Sequence, residues 1–231
     1  MYGYYFDPTY FLLIIGMILS MAASARVKST FSIYSRVRSA SGLTGAEAAR
    51  RILHMAGITD VTVVPISGSL TDHYDPRNKQ LALSQDVYDR TSVAAIGVAA
   101  HECGHAVQHA RAYAPLTMRS KLVPVVTFAS QWMTWLLLAG ILLINTFPQL
   151  LLAGIILFAM TTLFSFITLP VEINASKRAL VWLSSSGITN SYNHSQAEDA
   201  LRSAAYTYVV AALGSLATLI YYVMIFMGRR D

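Results

Sequence analysis

The residues best suited to do chemistry in this 231-residue chain are His101-Glu102-Cys103-Gly104-His105, an H-E-x-x-H pattern. Four residues advance a helix by just over one turn, so imidazoles at 101 and 105 project from one face and can share one Zn²⁺. Glu102, beside them, is placed to take a proton from a water activated by that ion. With six His and few Glu in the chain, random placement yields this pattern in about one such sequence in several hundred. Ala99, Ala100, Gly104 and Ala106 leave room for another element to approach. Three polar side chains on an otherwise apolar helix would each cost a few kcal/mol if buried without partners, a cost that a metal and its surrounding acceptors remove.

A catalytic zinc site needs a third protein ligand and leaves its fourth position to water. His109 continues the stripe but lies about 12 Å along the helix axis from His101, too far for one tetrahedral site on a straight helix; a supporting role suits it better. Glu172, in Leu169-Pro170-Val171-Glu172-Ile173-Asn174-Ala175-Ser176, is the better candidate. Pro170 suits a first helical turn, and a carboxylate directly after an apolar run is costly unless paired. Lys177, Arg178 or a helix N-terminus are the other partners its position allows. The expected ligand set is His101, His105 and Glu172 around one catalytic Zn²⁺, with Glu102 as general base. By residue type, His73, Tyr74, His194, Arg202 and Tyr206 are candidates to line the cleft or to stabilise a developing oxyanion. Cys103 turns about 100° away from Glu102 and reads as a packing residue.

These residues must be positioned by local elements that the sequence marks. Thr44 and Glu47 form a capping box opening a helix that ends at Gly57. A strand is expected at Val61 to Pro65. Thr71 to Tyr74 and Lys79 to Ser84 flank Asp75-Pro76-Arg77-Asn78, a type I turn pattern, and predict a hairpin. The Lys79 to Ser84 strand reads either as an edge able to bind extended substrate by strand addition or as an ordinary core strand. Thr91 or Ser92 caps a helix over Val93 to Ala110 that carries the H-E-x-x-H residues. Ser195 and Glu198 suggest a second capping box, opening a helix from Gln196 to Met227 of about 48 Å. The polar stretch Ser184 to His194 reads as a loop.

The remaining chain is built for a bilayer. Apolar residues make up 55% and charged residues 13%, about half the charge of a soluble domain, and the mean hydropathy is +0.48. Four nearly uncharged stretches, Thr9 to Ala25 (extended by Tyr4, Tyr5 and Phe6), Leu122 to Thr146, Leu150 to Leu169 and Ala204 to Met227, are each a candidate span. Asp7 precedes the first and Arg26 and Lys28 follow it, the reverse of a cleavable signal. Positive residues stay on the cytoplasmic side, so the N-terminus is expected outside and the site inside, in a multi-pass protein of the cell (inner) membrane. Arg229 and Arg230 would then lie outside. The expected organisation is a first membrane helix (1–25), a cytoplasmic α+β segment (26–121), a membrane hairpin turning at Asn145 to Gln149 (122–169), a cytoplasmic segment with the third ligand (170–203), and a last membrane helix with tail (204–231). The net charge of +5 records this orientation. No dense basic run or base-reading motif accompanies it, so no nucleic-acid partner is expected. The single cysteine excludes an internal disulfide.

The chain resembles the YugP-like neutral zinc metallopeptidases of bacterial membranes. The resemblance is carried by Ser41-Gly42-Leu43-Thr44-Gly45, by Leu70-Thr71-Asp72-His73-Tyr74-Asp75-Pro76, by Ala99 through Ala106, and by Leu169-Pro170-Val171-Glu172. More distantly it is similar to HtpX-type and CAAX-prenyl membrane proteases, in which a membrane hairpin separates the H-E-x-x-H helix from a Glu ligand that opens an E-x-x-x-D pattern. Here Ser176 stands where that Asp would be. The resemblance implies a gluzincin-like zinc endopeptidase.

The fold class expected is therefore an α-helical integral membrane protein with four membrane helices and a small α+β zinc protease domain. The expected function is hydrolysis of membrane or membrane-proximal polypeptides, with the lipid bilayer and a polypeptide substrate as partners. The alternative is a non-catalytic membrane scaffold or chaperone with a structural zinc site.

Overall fold

The structure is a computed structural model that describes residues 9–228. Helix α1 (Thr9–Tyr34) is followed by α2 (Gly45–Met55), strands β1 (Thr62–Ile66), β2 (His73–Asp75) and β3 (Gln80–Ser84), a short α3 (Gln85–Tyr88) and α4 (Val93–Ala110); α5 (Ala114–Leu142), α6 (Pro148–Ser185) and α7 (Ser191–Gly228) complete the chain. The extension at Tyr4 to Phe6 and the pair Arg229 and Arg230 lie outside the described residues.

The chain forms two compact units. One takes the chain up to Ala23 together with Met118–Leu169 and the residues from Tyr208 onward; the other is Ser24–Thr117 with Pro170–Thr207.

The second unit follows its local signals closely. Thr44 caps α2: its hydroxyl oxygen accepts the Glu47 amide, while the Glu47 carboxylate accepts the Thr44 amide at 2.8 Å. Gly57 closes that helix at φ +74°, a conformation a Cβ would strain, and lets the Ile58 amide reach the Leu53 carbonyl. In the hairpin, the Asp75 carboxylate accepts the Arg77 amide at 2.8 Å, the turn chemistry the sequence announces. Lys79 sits at φ +50°, so β3 begins at Gln80, one residue later than expected.

Sheet order settles the alternative left open for β3. The order is β1-β3-β2, with β3 parallel to β1 (Val63 opposite Leu81) and antiparallel to β2 (His73 opposite Ala82). As the central strand, β3 has ladder partners on both sides and cannot accept a further strand; Leu81 and Leu83 are fully buried core residues. Asp72 pins its end, accepting from the Ser84 amide at 2.8 Å. The core packs α4 (Ile96, Ala99, Ala100, Cys103, Val107) against α2 (Ala48, Ala49, Ile52), β3, and Ala179 and Leu183 of α6.

In the first unit, α5 and α6 meet through small residues. A Cβ on Gly140 would lie 2.4 Å from the Leu151 backbone, and Gly154 faces Leu137 in the same way. Such positions let helix backbones approach where apolar surroundings supply no hydrophobic drive. Large apolar side chains such as Phe128, Trp135 and Ile156 point outward, the arrangement lipid tails accept. Among the described residues, four helices, within α1, α5, α6 and α7, are long and apolar enough to cross a membrane.

The helices exceed the apolar stretches that announce them. Pro170 does not open a helix but lies inside α6; it removes one backbone bond, and the flanking turns, with no proline or glycine nearby, continue the helix through it. At α7 the expected capping box at Ser195 is replaced. Asn190 accepts the Asn193 amide at 2.8 Å and starts the helix earlier, while the Ser195 hydroxyl donates to the Tyr192 carbonyl. The Ser184 to His194 loop shrinks to residues 186–190.

Substituting Gly140 by Val should therefore destabilise the protein by about 1–3 kcal/mol through overpacking. Gly97→Ala, where a Cβ meets nothing within 4 Å, should be neutral or stabilising. Thermal unfolding of both variants in detergent checks the contrast; a Gly140→Val protein as stable as wild type would contradict the close approach.

Candidate metal centre

Helix α4 carries His101, Glu102 and His105, and α6 carries Glu172. Gly104 brings the two helices together. A Cβ there would lie 2.8 Å from the Ala175 carbonyl oxygen and 2.9 Å from its Cα, so only glycine allows this crossing. On α6, residues 172, 175 and 176 share a face by helical spacing. The contact at Ala175 thus seats Glu172 and Ser176 on the imidazoles flanking Gly104.

Three donor atoms converge. The Glu172 Oε2 lies 3.3 Å from His101 Nε2 and 3.5 Å from His105 Nε2. Ligand atoms of His101, Glu102 and His105 also lie within 4.8 Å of one another. A tetrahedral zinc with bonds of about 2.0–2.2 Å has edges of about 3.3–3.6 Å, the spacing that Glu172 Oε2 keeps from each imidazole nitrogen. Glu172 is 3% exposed, and its Oε2 is buried with no hydrogen-bond partner among the described residues. An orphaned carboxylate oxygen is costly, and a cation between it and the two imidazole nitrogens would satisfy it; the residues fit a metal ion.

The far side of each imidazole is held as well. His101 Nδ1 lies 3.1 Å from the Ser176 hydroxyl, and His105 Nδ1 lies 3.1 Å from Gln108 Oε1. Because an amide oxygen only accepts, His105 Nδ1 carries a proton, and Nε2 is the ring nitrogen that faces Glu172. Gln108 is fully buried; its amide donates to the Val171 carbonyl at 2.8 Å and to Asn174 Oδ1 at 3.1 Å, and Arg178 Nε donates to the same Asn174 oxygen at 2.7 Å. Burial alone would lower the His105 pKa, but the neighbouring carboxylates of Glu172 and Glu102 outweigh it and raise it above the ordinary histidine value. The pocket favours positive charge at this point.

Of the partners open to Glu172 by sequence, Arg178 is engaged by Asn174 and the two histidines take the carboxylate. The other candidates have partners of their own. Tyr74 pairs its hydroxyl with His109 Nδ1 at 3.1 Å; His73 Nδ1 lies 2.8 Å from the Thr71 carbonyl; His194 Nδ1 lies 3.3 Å from the Thr189 hydroxyl; Arg202 stacks on Tyr206. Cys103 points to the core, its thiol donating to the Ala49 carbonyl, and burial pushes its pKa up. Gln108 went unnoticed in the sequence, although its i+3 spacing from His105 places it within reach. Ser176 was visible only as a departure from a pattern.

Residues 9–227 match the family model described as "putative neutral zinc metallopeptidase". The chain belongs to this family. It is 48% identical over 221 residues, covering 96% of this chain and 97% of the relative, to the "putative membrane protease YugP" of Bacillus subtilis (strain 168). No solved structure matches. The family's description names zinc, and His101, Glu102 and His105 on α4 form a group that could hold a metal ion.

Replacing Gln108 by Leu leaves His105 Nδ1 without its buried acceptor, costing about 1–3 kcal/mol, and removes the second bond to the Val171 carbonyl. The expected outcome is a marked drop in unfolding temperature, larger than for the same change at an exposed glutamine such as Gln131; equal effects would contradict the network.

Proposed function

We propose that this protein is a membrane-embedded zinc endopeptidase in which His101, His105 and Glu172 hold one Zn²⁺ and Glu102 is the general base. The observation that carries this reading is the unpartnered Glu172 oxygen, set at zinc-ligand spacing from two imidazole nitrogens. When bound, zinc polarises the scissile carbonyl and lowers the pKa of an attacking water.

The chain's own residues do the rest. Gln108 and Ser176 hold the imidazoles so that their Nε2 atoms face Glu172. Glu102 accepts a proton from the water as its oxygen bonds to the carbonyl carbon. As the C–N bond breaks, Glu102 returns that proton to the departing amine. The two imidazole side chains are only about 15% exposed, which suits an extended polypeptide rather than a folded surface. Four helices of membrane length and a relative named as a membrane protease support membrane or membrane-proximal polypeptides as substrates. The positive residues after the first apolar run, Arg26 and Lys28, support a site on the cytoplasmic side of the inner membrane.

A second reading rests on Glu102 itself. Its carboxylate lies close enough to both imidazoles to act as a fourth ligand, which would close the site and make the zinc structural, in a scaffold rather than an enzyme.

One pair of variants separates the two. In the peptidase, Glu102→Gln retains one zinc per chain and loses about 10²–10⁴-fold in proteolysis, while His101→Ala loses the metal. In the scaffold, Glu102→Gln weakens zinc binding and wild type cleaves nothing. Zinc content by elemental analysis, beside cleavage of an unfolded membrane-protein substrate, decides between them; equal cleavage by wild type and Glu102→Gln would sink the assigned mechanism.

A further inference from the structure

A second charged site lies away from the metal centre. Between α1 and α2 the backbone around Arg38 runs antiparallel to the turn entering α4: the Ser39 amide donates to the Thr91 carbonyl at 2.8 Å, the Val93 amide donates to the Val37 carbonyl at 2.9 Å, and Arg38 pairs with Ser92 across the bridge. A cavity of about 220 Å³ opens against this framework, lined by Ser35, Arg36, Arg38, Arg90, Thr91 and Ser92. Three of these six residues are arginines. Among the described residues none of the three pairs with a carboxylate within 4 Å, whereas Arg26 pairs with Asp199, Arg51 with the Ser186 carbonyl and Arg178 with Asn174.

Three arginines line one small cavity, and an anion bound among them would offset their like charge. Their planar forks match the oxygen geometry of a phosphate group. Thr91 also lines the cavity, and Ser92 is the N-cap of the 18-residue α4, whose positive end reinforces the same preference. The volume falls below the roughly 300–1,000 Å³ of sites for drug-sized ligands, so it suits one small anionic group rather than a peptide. Arg36 lies about three helical turns beyond Ala25, the end of the first apolar run, on the side marked by Arg26 and Lys28, where basic clusters next to a membrane helix attract anionic lipid headgroups.

We propose that the Arg36, Arg38 and Arg90 cavity binds the phosphate group of an anionic lipid headgroup. This site is independent of the metal centre and of peptidase activity.

The test uses the full-length protein in detergent, titrated with phosphatidylglycerol, with phosphatidylcholine or with inorganic phosphate, and read by native mass spectrometry and thermal shift. Wild type should prefer phosphatidylglycerol over phosphatidylcholine. Replacing all three arginines by Gln should weaken that binding on the order of 100-fold, about fivefold per arginine. An equal charge loss at the exposed Arg50, Arg77 and Arg111 should leave it within a few-fold of wild type. Arg90→Lys, which keeps the charge and the fold, should lose part of the affinity. Equal binding by wild type and the cavity variant overturns the proposal, as does equal loss in the control. Stabilisation by inorganic phosphate without a phosphatidylglycerol preference overturns the lipid assignment and leaves a free phosphate as the ligand.

Discussion

At Gly104 a methyl group would lie 2.8 Å from the carbonyl oxygen of Ala175, and this absence of a side chain lets α4 and α6 cross at backbone contact. One turn of each helix on either side of that point carries the site: His101 and His105 on α4, Glu172 and Ser176 on α6. A larger residue at position 104 would clash with the Ala175 backbone and push the two faces apart. The unspecified position of the H-E-x-x-H pattern nearest the second histidine is therefore constrained here by packing.

Close approach alone would leave many polar groups without water, and the site answers this with a linked set of partners. Gln108 uses its amide three ways, accepting from His105 and donating to the Val171 carbonyl and Asn174. Asn174 in turn takes Arg178. A buried carboxylate oxygen left without a hydrogen bond among the described residues, Glu172 Oε2, is the atom a metal would claim. A neutral hydroxyl, Ser176, sits behind His101. A hydroxyl supports His101 without adding negative charge, so the electrostatic demand of the cluster rests on Glu102 and Glu172.

Helix α6 carries both the apolar run expected to meet lipid and the carboxylate of the centre. Its continuity through Pro170 departs from the expected helix start. A proline forfeits one backbone bond, and neither neighbouring turn contains a second break; at Asn190 the shorter cap wins because its side chain reaches the Asn193 amide while Ser195 bonds back to Tyr192.

The capping box at Thr44, the turn at Asp75, the H-E-x-x-H helix and four apolar helices were legible in the sequence because each rests on residues near one another in the chain: a side chain bonding an amide three residues on, a helical repeat, a run without charge. Glu172 was legible as a carboxylate in need of a partner, but two histidines about 70 residues away became that partner only through the Gly104–Ala175 contact. The central place of β3, the part played by Gln108 and Ser176, and the meeting of Arg36 and Arg38 with Arg90 depend on which segments lie side by side. Such choices are settled by long-range packing, and no local pattern of residue types encodes them.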